Sequence, residues 1–592
     1  MYTRYFLWNF AGRTNELDGQ TGSTTDGDWI SGLNINRPYP YSVTKSKAYN
    51  RLYFLPLIIG LLGAFFHFKR NQKDAGIVGV LFFFTGLAIV LYLNQDPLQP
   101  RERDYAYAGS FYAFAIWIGL GVLCIADLLR RSVGAKSGAI IATVVCLLAA
   151  PALMASEEWD DHDRSTKMTP HDMAYNYLVS CAPNAILFTY GDNDTYPLWY
   201  VQEVEGVRPD IRLVNLSLLG TDWYIRGMKT KMNESAPLPI TMPNEKFAAG
   251  IRDVIYYSDA NIAGPVDVKE IFDFITSDDD RAMAVMQSGS KTNYLPTKNF
   301  KLSVDREAVI KSGTVTADQA NKIIPAIEWK YPGNYITKDN LALLDILAHN
   351  NWKRPIYFAV TVGSENMMGL DRYMYNEGFA YRLLPLVPDT TASPLESTSS
   401  VKMYDNLMTK FKYGNMKTAT YLDHESLTMF YPLMTRLYMN LADNLIKEGH
   451  SDLAKNLVKK YDEVMPGIIP VQEVAVRKYY LLESAYKLGN TQLGNKIADQ
   501  IDDYLVNLLN YTHTMIQDNK MSPEDRDVQL SMSLLNGLVS MTKDFHQDAL
   551  HKKFSAQMKD FESARKAVAP SLTKKDIVFF IEWEKKYGAQ EK

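Results

Sequence analysis

Arg101, Glu102, Arg103 and Asp104 follow one another in NQDPLQPRERDYAYAGSF, residues 94–111, a proline-containing loop between two hydrophobic stretches long enough to cross a bilayer. Fixed charge held against hydrocarbon is costly unless it pairs or does chemistry. Two guanidinium forks this close together suit a lipid-linked phosphate, and the acids beside them suit steering those forks or taking up a proton. A plainer reading remains open: Arg101 with Glu102 and Arg103 with Asp104 neutralise each other in an ordinary turn after Pro97 and Pro100.

Three further constellations carry chemistry-bearing side chains. Trp159-Asp160-Asp161-His162-Asp163-Arg164 gathers carboxylates and an imidazole that could ligate a divalent cation, or could equally form an acidic, solvated exit from a membrane. Gly191-Asp192-Asn193-Asp194-Thr195 follows an apolar strand, at the carboxyl end where open α/β sheets bind ligands. Asp194 or Thr195 could instead cap the following helix, with Pro197 in its first turn. Trp352-Lys353-Arg354-Pro355, with Glu377, Gly378, Tyr381 and Arg382 further on, offers a basic edge for an anion or, more simply, a structural ion pair. A metal-dependent hydrolase would need Asp160, Asp161, His162, Asp192 and Asp194 to converge on one point. The motifs GxxxxGK[ST], GxGxxG after a strand, HExxH, CxxC and GxSxG are all absent, which disfavours ordinary soluble nucleotide chemistry.

The elements that must position these groups begin with four hydrophobic segments, Leu52–Phe68, Ala75–Leu93, Phe111–Leu129 and Gly138–Ala155, each near the length of a bilayer crossing. Their short connections carry Lys69, Arg70, Lys73, Arg130, Arg131 and Lys136, so the positive-inside rule makes both cytoplasmic. Residues 1–51, the PRERDY loop and everything after Ala155 then face outward. The first residues lack a secretory signal. Tyr2, Tyr5, Phe6, Trp8 and Phe10 instead suggest a short amphipathic helix in the membrane interface. An outside stretch of about fifty residues has no preceding span to carry it across, so the chain is expected to be the second part of something longer.

Residues 156–426 read as a soluble mixed α/β domain. Ala185–Tyr190 and Asp210–Leu219 are strands flanking a helix over Thr195–Glu205, one βαβ unit; Leu341–His349 and Arg354–Val360 repeat the helix-strand style. Residues 244–330 are polar and read as an insertion with partial order. From 427 to 592 the pattern turns helical, and LADNLIKEGHSDLAKNLVKKY aligns with LLESAYKLGNTQLGNKIADQI so that Gly449 falls on Gly489, a weak repeat of tetratricopeptide-like hairpins. The fold class expected is therefore multi-domain: α-helical transmembrane segments, a mixed α/β domain and an all-α helical-hairpin domain suited to docking a partner. A formal net charge of -4 in 592 residues gives no basic field, so no nucleic acid partner is expected. Cys124 and Cys146 sit in hydrophobic segments and only Cys181 lies in the soluble part, so no disulfide framework follows.

Taken together, LNQDPLQPRERDYAYAGSFYAFAIWIGLG, EWDDHDRS, APNAILFTYGDNDTYPLWYVQEVEGVRPDIRLVNLSLL, NNWKRPIYFA and EGFAYRLLPL resemble a family of bacterial multi-pass membrane proteins first catalogued by a domain of unknown function. That family is grouped with GT-C-type membrane glycosyltransferases and has an animal relative similar to protein O-mannosyltransferases. The resemblance implies an enzyme of the bacterial inner membrane, its large C-terminal part periplasmic, that moves a sugar from a polyprenyl-phosphate donor to a hydroxyl of a protein or glycan. It implies donor phosphate binding by Arg101 and Arg103, with Glu102 and Asp104 as candidate acids, and a lipid bilayer and protein acceptor as partners; no cofactor is certain, a divalent cation at the acidic clusters being the one candidate. In GT-C enzymes the base usually lies on the first outer loop near the N-terminus, a region this sequence does not match. A membrane-anchored envelope scaffold is the alternative from another class.

Overall fold

The computed structural model describes residues 2–16, 27–33, 39–94, 104–285, 291–388, 395–518, 521–522 and 525–568. The chain divides into two compact units, Met1–Lys167 with Asn415–Arg436 and Val464–Lys592, and Met168–Gly414 with Leu437–Glu463.

In the first unit an aromatic helix, α1 (Tyr2–Phe10), precedes the apolar helices α2 (Leu55–Arg70), α3 (Gln72–Phe84, continued after a break by Leu87–Leu93), α4 (Ala108–Val133) and α5 (Ala135–His162). Asn71 alone separates α2 from α3, and its side chain caps α3 at Asp74 N (3.3 Å); Gly134 alone separates α4 from α5, its φ of 82° being one that L side chains rarely adopt. Such tight turns force neighbouring helices to run antiparallel. Gln72–Leu93, Tyr105–Val133 and Ala135–His162 are long and apolar enough to cross a membrane. The fourth expected span, over Leu52–Phe68, is the 16-residue α2, about 24 Å long and short of a typical hydrocarbon core. It packs on α4 through glycine: a Cβ on Gly63 would lie 1.8 Å from Trp117 O, and one on Gly121 would lie 2.3 Å from Ile59 O. Within α5 the helix widens to a π-turn at Leu148–Ala152, which accommodates Pro151 and its missing N–H.

The expected aromatic helix forms, but its rings lie inside the protein. Tyr2, Tyr5 and Trp8 are buried in a cluster with Tyr107, and Phe10 packs with Phe114 and Trp117. Rings that touch at 4.7–5.5 Å between centroids find a better solvent in each other than in a lipid headgroup layer.

The same unit holds the helices Gln472–Lys487, Thr491–Gln517, Arg526–Asp544 and Asp548–Val568, packed in succession. Gly489 turns the first into the second at φ 76°, with Gly489 N on Tyr486 O and Asn490 N on Ala485 O, both 2.9 Å. In the second unit Gly449 does the same at φ 81°, with Gly449 N on Ile446 O (3.1 Å) and His450 N on Leu445 O (2.8 Å). The aligned glycines therefore close the same kind of turn. The likeness does not extend to helix length, since the helices that follow have 14 and 27 residues.

The second unit is built on a five-stranded sheet. Helix α6 (Thr169–Ser180) leads to β1 (Ile186–Thr189), α7 (Asp192–Glu203), β2 (Arg212–Asn215) and α8 (Asp222–Met228); after a long excursion α9 (Lys338–Asn350) leads to β3 (Ile356–Ala359), β4 (Met374–Asn376) and β5 (Ala380–Leu383). The strand order is β4-β5-β3-β1-β2, with β1 parallel to both β2 and β3 and the β5 pairings antiparallel. The expected βαβ unit is present. Its second strand ends four residues early, because Asn215 caps a helical turn over Leu216–Leu219 by accepting from Leu218 N (3.1 Å). Residues 244–330, expected to be partly ordered, carry a three-stranded sheet of Ala326–Lys330, Asn299–Ser303 and Val266–Asp267, and a helix Val268–Ile275 that packs on α9. Their polarity belongs to one-sided burial: Val268, Ile271, Phe272 and Ile275 are buried while the residues between them face outward.

Candidate functional site

In the second unit the chain leaves β1 toward β2 on one side and returns to β3 on the other, so the crevice between the carboxyl ends of β1 and β3 is the topological switch point of the sheet. Ligands of open α/β sheets bind at such crevices. Asp194 stands there, from the first turn of α7, and accepts a hydrogen bond from Thr361 Oγ1, just beyond β3. Tyr177 OH of α6 lies 3.0 Å from the same hydroxyl. The loop is held from β2: Asn215 Nδ2 donates to Gly191 O and to Thr195 Oγ1, both 2.9 Å, and Thr195 Oγ1 donates to Gly191 O at 2.7 Å. Gly191, at φ 79°, is the residue before the helix, so the helix begins at Asp192 and neither Asp194 nor Thr195 is its cap. Pro197 lies inside the helix, beyond the first turn expected for it.

Asp194 is 5% exposed, and burial pushes its carboxyl up to about 6, against the opposing hydroxyls of Thr361 and Tyr177. Asp192 and Asn193 are exposed beside it. A carboxyl that titrates near neutrality at a strand-end crevice is equipped for proton exchange with a bound ligand. The same shift has a stability consequence. The folded chain binds this proton more tightly than the unfolded chain, so stability falls as pH rises from about 4 through about 6 and stays low above. Asp194→Asn is therefore expected to raise the melting temperature at pH 8, by up to about 3 kcal/mol of stability, and to leave it nearly unchanged at pH 4; melting curves across that range check it.

In the first unit the cluster at Asp160–Asp163 lies at the end of α5. Asp161, 2% exposed, accepts from Arg13 Nη2 (2.6 Å) and Asn50 Nδ2 (2.8 Å) on one oxygen and faces His162 Nδ1 (2.8 Å) on the other. Arg51 N donates to Glu157 one turn earlier (3.0 Å). Asp163 takes Ser165 N and Oγ at 3.0 and 2.6 Å, and no ion pair of Asp160 is present among the described residues. Beside this network Glu16 accepts from His424 N, and Asp423 binds Lys167 and, at 3.5 Å, Arg164. Burial pushes the Glu16 carboxyl up, partly offset by the Tyr421 hydroxyl and Arg13. For Asp423 burial acts the same way, but Lys167 and the Ser426 N–H outweigh it and hold the carboxyl below its usual value.

Of the acids expected to gather round a metal, Asp161 is taken by a guanidinium and an amide, Asp163 by Ser165 and Asp194 by Thr361, while Asp192 is exposed, and among the described residues no three His, Cys, Asp or Glu side chains come together as a metal site. Arg101, Glu102 and Arg103 lie outside the described residues; Asp104 opens a short helical turn, Asp104–Tyr107, at the head of α4. That head shares its end of the helix bundle with the Asp161 network, because Tyr107 packs on Tyr2 and Tyr5 of α1, and α1 leads directly to Arg13. The basic edge near Arg354 is a clamp: Nε, Nη1 and Nη2 donate to Asn184 O, Ala236 O and Ala185 O at 2.8–3.2 Å, with Ser235 Oγ at 2.9 Å. Glu377 and Arg382 do form the structural ion pair, at 3.3 Å. Residues that the sequence did not single out, Asn215, Thr361, Tyr177, Arg13 and Asn50, come from separate segments; only Asn215, a polar residue ending an apolar strand, left a local signal.

Residues 170–403 match a family model described as TMEM260-associated domain 2, which takes in the whole sheet and the Asp194 crevice. Residues 537–588 match one described as the Vps4 C terminal oligomerisation domain. No curated protein and no solved structure matches the chain.

Proposed function

We propose that this chain works as part of a membrane glycosyltransferase that moves a sugar from a polyprenyl-phosphate donor to a protein or glycan hydroxyl at the outer face of the bacterial inner membrane. The observation that carries this reading is the match of residues 170–403 to a TMEM260-associated domain on a chain with three helices of membrane-spanning length, since it points toward glycosyltransferase-like membrane proteins. In the reaction the acceptor oxygen bonds to the sugar's anomeric carbon, the bond from that carbon to the phosphate oxygen breaks, and the lipid phosphate departs with the electron pair. Arg101 and Arg103 hold that phosphate as its charge grows, and Glu102 or Asp104 takes the acceptor's proton.

The test supplies labelled polyprenyl-phosphate sugar to membranes from cells carrying the protein with Arg101→Ala or Arg103→Ala. Each change is expected to cut transfer about a hundredfold without altering melting. Transfer that survives both substitutions at full rate removes the donor-site reading. The scaffold alternative gains support from the match of residues 537–588 to an oligomerisation domain. It predicts that cross-linking through the helices Arg526–Asp544 and Asp548–Val568 captures a second chain while sugar transfer is absent.

A further inference from the structure

Arg212 is the first residue of β2 and is 1% exposed, yet among the described residues no carboxylate pairs with it. Its Nη2 donates to Gly227 O at the end of α8 (2.8 Å), while Nε and Nη1 have no acceptor among the described residues. A buried guanidinium without a counter-charge is costly, and one carbonyl dipole does not neutralise it. The surroundings deepen the imbalance. Arg354 lies near enough for the two cations to oppose each other, and the carboxylate nearby, Asp210, is gripped by Arg208 through Nε (2.8 Å) and Nη2 (2.9 Å). Native proteins rarely leave such N–H groups unsatisfied, so their position marks where an acceptor belongs.

A cavity of about 70 Å³ also has Arg212 as part of its lining, with Trp199, Leu213, Tyr224, Met228 and Met232. It has room for several waters or one small anionic group. Its walls are mostly apolar, which strengthens any charge interaction inside. Met232 and Asn233, both exposed, stand at its edge, and Asn233 Nδ2 is engaged by Glu203 at 2.7 Å. Tyr224 OH accepts from Asn215 N at 2.9 Å, which leaves its own proton available to a further acceptor. We propose that this pocket is a binding site for a small oxyanion, a phosphate or carboxylate group, held by Arg212 Nε and Nη1. The site is separate from the Asp194 crevice and does not depend on the glycosyltransferase reading.

The full-length protein in detergent is titrated with inorganic phosphate and, separately, acetate, against chloride at constant ionic strength, and both melting and equilibrium binding of labelled anion are followed. One saturable site per chain is expected, with a saturable rise in melting temperature; the stronger of the two arms identifies phosphate or carboxylate as the natural group. Arg212→Met should abolish both effects. Met232→Trp, at an exposed position of ordinary backbone conformation, fills the mouth without touching the cation and should weaken binding at least tenfold while melting like the parent in chloride. This second variant keeps the test meaningful if loss of Arg212 prevents folding. Absence of a saturable site in the parent protein, which is the outcome if water alone fills the cavity, overturns the proposal. Binding that persists undiminished in both variants overturns it as well, because the anion is then held elsewhere or acts only by exclusion from the surface.

Discussion

Asp161→Ala is expected to open the junction between the N-terminal segment and α5, lowering its local stability by about 3 kcal/mol. One carboxylate there serves Arg13, Asn50 and His162 at 2.6–2.8 Å, and it is almost wholly removed from water. Its loss takes a carboxylate partner from a guanidinium whose side chain is only 15% exposed, and breaking such a pair from one side costs far more than the pair itself contributes. The guanidinium also lies over the Trp8 ring at 5.9 Å, which is why the lower end of the range for broken buried pairs applies. The junction opens locally, so hydrogen exchange reads it directly where melting averages over the chain. Amides of residues 11–16 and 48–52 should exchange about a hundredfold faster in the variant, with those of β1 and β3 unaffected. Asp161→Asn keeps one acceptor oxygen and should fall between. A double substitution with Arg13→Ala should recover part of the loss, since it removes the charge that loses this partner. Unchanged exchange in Asp161→Ala would show that the network carries no energy.

The second large effect is expected at the middle of the sheet. Glu377, 3% exposed, accepts from Tyr357 OH at 2.7 Å and pairs with Arg382 Nη1 at 3.3 Å. Tyr357 on β3 and Arg382 on β5 are direct cross-strand partners, and the guanidinium sits 5.3 Å from the Tyr357 ring centre while Nη2 donates to Gly313 O (2.7 Å). Glu377→Ala leaves a buried cation with carbonyl and ring contacts only, and frees the Tyr357 proton. A loss of about 4 kcal/mol in the sheet follows, enough to expose the buried Cys181 beside it. Thiol-labelling at Cys181 is the measurement: in the parent protein burial pushes that thiol up from its ordinary value and shields it, whereas the variant should label more than a hundredfold faster. Glu377→Gln, which can still accept from Tyr357, should label at an intermediate rate. If both variants label like the parent, the pair is dispensable.

Much of the fold was open to reading along the chain because it is written in local periods. Runs such as VLFFFTGLAIVLYL have nothing to face water, so helices of spanning length over Gln72–Leu93, Tyr105–Val133 and Ala135–His162 follow from composition. AILFTY and DIRLVN, separated by a helix-length segment, give a parallel pair with little ambiguity, and glycine after the strand marks the loop that carries Asp192, Asn193 and Asp194. Gly449 and Gly489 mark the turns for the same reason, since few other residues take φ near 80°.

Pairing across long separations is another matter, because nothing in a local pattern says which distant side chain meets which. Asp161 reads as a metal ligand or a solvated acid until Arg13 and Asn50, more than a hundred residues away, arrive as its partners. Arg354 reads as an anion holder or half of a structural ion pair until three carbonyls from two segments and the Ser235 hydroxyl surround it. Arg212 carries no distinguishing mark within DIRLVN, and it is the fold that buries it and leaves its Nε and Nη1 without an acceptor among the described residues. Residue types and local periodicity thus determined the helices, strands, turns and the strand-end position of Asp194. Only tertiary structure decided which charges are spent on each other and which are left to meet a ligand, because burial and partner choice are properties of packing between segments rather than of any one of them.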